Sequence, residues 1–308
     1  MIREFLIHQG HRLKHYLYTQ QPFTGRGKLL TLADKMIGSP KKQIILKTLH
    51  GFKICIDPVI DNGVEKSIFY TGTYEAGTLH IFSKILQPGD VFFDVGANIG
   101  LMTLFASQAV GVSGEVHSFE PEPDTFRILS KNIEINNAEN IKPNNIALGS
   151  EQKEGLIYPN MEINRGASSI VKQDGSVGKK IQIKTLDQYL KNVSPLNIRL
   201  IKIDIEGYEL EMLKGAKNLL QTNNAPILCI EYSKHVEHVT DVGDIYDFIT
   251  FINQYRIFKF VLWKEKVCQL TEVFSKEEMP LHDNVFCFLP HHLNMLQNTG
   301  VFSGLYSD

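Results

Sequence analysis

Short apolar runs alternate along this chain with longer segments whose apolar residues recur at helical spacing. Val91-Phe92-Phe93, Gly114 to Glu120, Lys142 to Leu148, Ile198 to Asp204 and Pro226 to Glu231 read as strands, several apolar enough to be buried on both faces. Between them, Glu75 to Leu86, Leu101 to Ala109, the segment opened by Pro123-Asp124, Gly207 to Leu220 and Ile245 to Tyr255 read as helices. Phe126, Leu129 and Ile133 fall on one face of the third. Strands alternating with helices predict an α/β fold, doubly wound about a mostly parallel sheet. Residues 43 to 57 read as a hairpin entering the core. Phe258 to Trp263 and Val267 to Leu270 read as a pair around Lys264-Glu265-Lys266, and Asn284 to Leu289 as the last strand. Ile181 to Lys184 belongs to an excursion containing the polar, glycine-rich stretch 160 to 179, expected to be a loop over the site.

The joint between the first of these strands and its helix carries the chemistry. Asp94-Val95-Gly96-Ala97-Asn98-Ile99-Gly100 delivers a carboxylate and a glycine turn to a helix start, where backbone can approach a ligand and unpaired N–H groups are on offer. Glu120, followed by Pro121, ends the next strand, where an acid can hold both hydroxyls of a cofactor ribose. A dinucleotide turn wants a second glycine to admit the pyrophosphate, and Asn98 stands there instead. Asp94 is likewise a poor neighbour for phosphate and a good one for a ligand carrying sulfonium and ammonium charges.

Three motifs in register, Asp94-x-Gly-Ala-Asn-x-Gly100, Phe119-Glu-Pro121 and Lys202-x-Asp204-x-Glu206-Gly207-x-Glu209, resemble the FkbM-type family of S-adenosylmethionine-dependent methyltransferases. Asn132, Asn145-Ile-Ala147-Leu148 and Thr185-Leu-Asp187 agree further, so that the resemblance spans roughly residues 75 to 235. It implies a class I methyltransferase, Rossmann-like fold with an antiparallel final strand, S-adenosyl-L-methionine as cofactor, and methyl transfer to a hydroxyl, commonly of a sugar or polyketide. The expected division is a basic N-terminal extension over 1–74, with helix and hairpin, and a methyltransferase domain over 75–308. Asp94, Gly96, Ala97, Asn98, Gly100, Glu120, Pro121, Ala147 and Asp204 are the expected cofactor residues.

The crevice of an open α/β sheet lies outside the carboxyl ends of its strands, which places Asp94, Glu120, Asp204 and Glu231 on one edge. Asp204 and Glu206, or His235, are the candidates for the base that removes a hydroxyl proton. An acid ending a strand as apolar as Leu200-Ile201-Lys202-Ile203 is costly unless used. Glu209 reads as an ordinary acid in a first helical turn. Asp204, Glu206 and Glu231 could also hold Mg2+, but no ligand spacing compels it, and the enzyme is expected to work without one. The alternatives are an NAD-dependent oxidoreductase, discouraged by Asn98 and by an expected absence of a Tyr-x-x-x-Lys pair, and a cofactor-binding protein without catalysis.

Composition narrows the partners. The net charge of −2 hides a first fifty residues with nine Lys and Arg against two acids, leaving 23 against 32 in the remainder. An acidic catalytic region repels phosphate backbones, so a nucleic-acid acceptor is not expected and a small-molecule or glycan acceptor is. The basic start, interleaved with Ile2, Phe5, Leu6, Leu13, Tyr16 and Leu17, suits an anionic membrane surface, a second subunit, or packing on the chain itself. Cys55, Cys229, Cys268 and Cys287 show no metal or disulfide spacing. Without a secretory-type apolar core at the start or a run long enough to span a membrane, the expected location is cytoplasmic.

Overall fold

The computed structural model describes residues 43–58, 63–158, 177–193, 197–234 and 245–303, with isolated positions among residues 13–32. The strands are β1 (Ile44–Lys47), β2 (Lys53–Ile56), β3 (Val91–Val95), β4 (Glu115–Phe119), β5 (Ile141–Asn144), β6 (Ala147–Leu148), β7 (Lys153–Ile157), β8 (Lys179–Lys184), β9 (Ile198–Ile203), β10 (Ile227–Ser233), β11 (Arg256–Phe260), β12 (Leu270–Val273) and β13 (His282–Phe288). The helices are α1 (Val64–Thr71), α2 (Ala76–Ile85), α3 (Leu101–Val110), α4 (Pro123–Glu134), α5 (Leu186–Leu190), α6 (Glu209–Lys214), α7 (Lys217–Leu220), α8 (Ile245–Ile252) and α9 (Pro290–Leu296).

Eight strands form the main sheet in the order β12-β11-β13-β10-β9-β3-β4-β5. Strands β5, β4, β3, β9 and β10 run parallel, and β13 inserts antiparallel between β10 and β11. This is the class I methyltransferase arrangement, with the antiparallel strand where the resemblance implied one. Alternation in the strands divides the core. Phe92, Val116, Leu200 and Cys229 join Phe82, Leu104 and Ile54 on one side of the sheet. Phe93, Val95, Ile201, Ile203 and Ile230 join Leu210, Leu213 and Ile249 on the other. Covered on both faces, the sheet offers only its strand ends to a ligand.

Four expected elements differ in detail. Lys142 to Leu148 is not one strand: β5 ends at Asn144, and β6 pairs with β8 in a separate three-stranded sheet with β7. The break lets Asn145 donate to the carbonyls of Glu120 (2.8 Å) and Pro121 (3.1 Å). Gly207 to Leu220 is two short helices. Gly215 crosses Gly149 so closely that a Cβ would stand 1.9 Å from the Gly149 carbonyl oxygen, and the Asp187 carboxylate restarts the chain by accepting from Asn218 N and Leu219 N. The last hairpin is wider than expected, with Phe260 facing Leu270 and the second strand running on to Val273, because its connection turns inward. Lys179 already belongs to β8, which shortens the expected loop 160–179; residues 159–176 lie outside the described part.

The hairpin β1-β2 is fastened to the rest by two asparagines. Asn132 on α4 is buried, accepts from Cys55 N (2.7 Å), and donates to the carbonyls of Cys55 (3.2 Å) and Ile99 (2.8 Å). Asn136, a turn further on, brackets Lys53 N and O in the same way. At the other end of the chain's basic segment, Lys14 is buried, its Nζ against the Tyr70 hydroxyl and 4.3 Å from the ring centroid. No helix among the described residues is long and apolar enough to cross a membrane.

Replacing Asn132 leaves three buried backbone groups without partners. Asn132→Ala is expected to lower the unfolding free energy by about 3 kcal/mol in urea titrations, and Asn136→Ala, with exposed bonds, by only about 1 kcal/mol.

Candidate active site

At the end of β3 the chain reverses through three residues in the left-handed region, Gly96 (φ 82°), Asn98 (φ 49°) and Gly100 (φ 93°). Gly96 tolerates no side chain, since a Cβ would lie 1.8 Å from the Asp204 carbonyl oxygen. Its N–H and that of Ala97 both donate to the Phe119 carbonyl at 3.0 Å, tying the turn to β4. Glu120 braces the same turn: Oε2 accepts from Asn98 N and Oε1 from Glu122 N, each at 2.9 Å. Both oxygens keep a further lone pair for a ligand hydroxyl. Burial pushes the Glu120 carboxyl up to about 7, against the pull of those two N–H groups. Gly100 does not line the pocket; it caps α3 where a Cβ would meet Leu129 at 2.6 Å.

Asp94 is fully buried. Thr103 donates to its Oδ2 at 2.5 Å, while Oδ1 has no partner among the described residues. Burial raises its pKa and Lys202, opposite it in register on β9, works the other way. The Asn98 Oδ1 is a second buried acceptor left open.

Strand β9 brings the second half of the site. Asp204 N donates to the Val95 carbonyl (3.0 Å), and Lys202 Nζ to Asp204 Oδ2 (2.8 Å). Burial disfavours charge on Asp204, but Lys202 and Lys264 outweigh it and hold the group below the ordinary carboxylate range. Glu206 follows with φ 54°, in a loop shaped by Glu209, whose Oε1 accepts from Ile205 N (2.9 Å) and Gly207 N (3.2 Å). Glu209 is thus buried structure rather than a solvated first-turn acid. Burial first, then Asp204 and Glu209, push the Glu206 carboxyl up to about 8. Glu231 on β10 is raised well above its usual value by burial and by the Asp204 charge.

Asp94, Gly96, Ala97, Asn98, Glu120, Pro121, Ala147, Asp204, Glu206 and Glu231 line one pocket. Tyr74, Glu75 and Lys202 line it too; Lys202 stands in the third motif without a role, and the other two carry no motif. A lysine inside the buried strand Ile198–Ile203 was the available signal for Lys202, by the argument applied to Asp204. His235 lies outside the described residues. The expected absence of a Tyr-x-x-x-Lys pair does not hold, since Tyr255 and Lys259 have that spacing, but Tyr255 donates to the Pro226 carbonyl and Lys259 to that of Glu278, and neither lines the pocket.

Among the described residues the acids whose oxygens converge, within 4.8 Å of one another, are Glu75, Asp204 and Glu231; Glu206 is not one of them. The Lys264 ammonium already stands 2.7 Å from Glu75 Oε1 and 2.6 Å from Glu231 Oε1. Mg2+ does not fit this set while the lysine is in place.

Strand order and the glycine turn define the class I methyltransferase fold, with an acidic pocket at the strand ends. Residues 94–258 match the family model of the methyltransferase FkbM domain, and the chain belongs to that family. It is 28% identical over 172 residues to Methyltransferase 1 of Beauveria bassiana (strain ARSEF 2860), covering 49% of this chain and 66% of that one. It is 30% identical over 156 residues to the hexuronic acid methyltransferase AglP of Haloferax volcanii, covering 50% of this chain and 61% of that protein. The chain thus spans just under two thirds of the length of these relatives. The crystal structure of the methyltransferase FkbM from Methylobacillus flagellatus KT superposes with a TM-score of 0.42 at 13% identity, covering 91% of this chain and 59% of that one.

Gly96→Ala combines a forbidden contact with a left-handed backbone. It is expected to lower the thermal midpoint by about 5 °C or more in scanning calorimetry, a loss of a few kcal/mol at this chain length.

Proposed function

We propose that the chain is an S-adenosyl-L-methionine-dependent O-methyltransferase whose acceptor is a hydroxyl of a sugar, glycan or glycosylated small molecule. The observation that carries the reading is the single pocket in which the glycine turn and Glu120 meet Asp204, Glu206 and Glu231. Two buried acceptors without partners, Asp94 Oδ1 and Asn98 Oδ1, suit a ligand rich in donors and positive charge. The sugar acceptor is supported by the likeness to a hexuronic acid methyltransferase.

When bound, the cofactor supplies a methyl group activated by sulfonium. The protein's own residues then have three tasks. Asp94 complements the positive end of the ligand, and Glu120 receives the ribose hydroxyls with the lone pairs that the turn leaves open. Asp204, held ionised by two lysines, is a weak base and keeps the site negative where positive charge is to be received. Glu206, with its raised pKa, is the better base for a hydroxyl proton near neutrality. The acids here suit a hydroxyl, which must lose a proton to react.

Calorimetric titration separates this reading from the oxidoreductase. S-adenosylhomocysteine is expected to bind, with affinity falling about tenfold or more in Asp94→Ala and in Glu120→Ala, while NAD gives no heat; binding of NAD alone would return the turn to hydride chemistry.

The base assignment has a pH signature. The ionised form of Glu206 accumulates as pH rises through about 8, so kcat/KM should climb about tenfold per pH unit below that value and level off above it. Glu206→Gln should cut the plateau by roughly 100-fold or more and flatten the slope, and Asp204→Asn should lower kcat with S-adenosylhomocysteine binding largely retained. An unchanged slope in Glu206→Gln would move the base elsewhere.

A further inference from the structure

Lys264 sits in a connection whose charged run, Lys264-Glu265-Lys266, has the composition of a solvated hairpin tip. It is instead folded onto the start of α2. Its carbonyl accepts from Gly77 N (2.8 Å) and Thr78 N (3.3 Å), the open N–H groups at the start of α2, and its own N–H donates to Asp283 Oδ1 (3.2 Å). Gly77 permits the approach: a Cβ there would lie 2.4 Å from the Lys266 carbonyl oxygen and 2.7 Å from that of Lys264. Glu265 completes the clasp by accepting from Glu75 N (2.8 Å). Glu75 itself is held at φ 50° with its Oε2 against Asn284 Nδ2 (2.7 Å).

These contacts aim one ammonium at a set of carboxylates. Lys264 is 5% exposed, and its Nζ lies 2.7 Å from Glu75 Oε1 and 2.6 Å from Glu231 Oε1. Asp204 closes the set, with oxygens of all three acids within 4.8 Å of one another, while its other neighbour is Lys202. Three carboxylates at such spacing are of the size that elsewhere holds a divalent ion through oxygen ligands. Here the cation is covalently part of the chain.

We propose that Lys264 is the resident cation of the Glu75–Asp204–Glu231 cluster, a positioning residue that occupies the place of a divalent metal and holds the acceptor end of the pocket in shape without one. Its bearing on methyl transfer rests on the function proposed above; the occupancy itself does not. Held by the α2 start, by Asp283 and by Glu75, the ammonium cannot be exchanged or chelated away. Without it, Glu75 and Glu231 lose the ammonium they share, and a divalent ion can compete with protons for the three acids.

The experiment is a titration of the full chain and of Lys264→Ala with MnCl2, followed by calorimetry and thermal unfolding, with S-adenosylhomocysteine binding measured alongside. Wild type is expected to show no saturable Mn2+ site and no shift in midpoint. Lys264→Ala is expected to melt lower, to gain one Mn2+ site, and to recover about 5 °C or more on metal addition, a recovery abolished by adding Glu75→Gln. Saturable Mn2+ binding to wild type that Glu231→Gln removes would overturn the proposal, and so would a folded Lys264→Ala indifferent to Mn2+. If Lys264→Ala does not fold with or without metal, the wild-type titration decides alone: a saturable site lost in Glu231→Gln overturns the proposal, and no site supports it. None of these readouts needs methyl transfer. Loss of S-adenosylhomocysteine binding in the wild type would sink the methyltransferase reading and leave the metal result standing.

Discussion

Buried charge compensation holds the site together. Glu75, Asp94, Asp204 and Glu231 crowd the carboxyl edge of a sheet whose faces are both covered, where an unpaired ionised carboxylate costs several kcal/mol. Two ammonium groups are buried with them. Lys202 serves Asp204 directly and faces Asp94 in register, and Lys264 serves Glu75 and Glu231. Glu120 and Glu206 line the pocket as well, so acids outnumber these two cations; burial, with the Asp204 charge adding to it, pushes Asp94 and Glu231 toward their protonated forms, while the two lysines keep Asp204 ionised. A pocket in that condition favours a ligand that brings positive charge with it.

Strain in the backbone sits on both sides of the same pocket. Asn98 and Glu206 are non-glycine residues in the left-handed region, and Gly96 is pressed against the Asp204 carbonyl. Such conformations persist only where surrounding bonds over-determine them. Here Glu120 anchors Asn98 N and Glu209 anchors Ile205 N and Gly207 N, so one buried acid supports each strained turn. The two turns belong to neighbouring strands, β3 and β9, and their ladder fixes the distance between the two halves of the site.

The alternation of apolar strands with amphipathic helices was legible along the chain because burial on both faces demands continuous apolar runs, and the glycine turn because only glycine accepts such close approach. Asn132 was noticed through resemblance alone. Its work, satisfying both backbone groups of Cys55 and the Ile99 carbonyl, depends on a hairpin 77 positions away. Along the chain Glu209 reads as a helix-start acid, because a first turn favours such residues. Nothing local reveals that its side chain bends back to hold the preceding loop.

By itself the amino-acid sequence determined the strand and helix succession, the turn at Gly96 to Gly100 and the row of acids at the strand ends, since each follows from side-chain periodicity or from steric limits on single residues. Only the tertiary structure decided which cations answer those acids. Lys264 reaches Glu75 and Glu231 because the β11-β12 connection folds onto the start of α2, a contact between segments far apart in the chain, and charge neutrality in a buried site is a property of the volume enclosed and not of any stretch that encloses it.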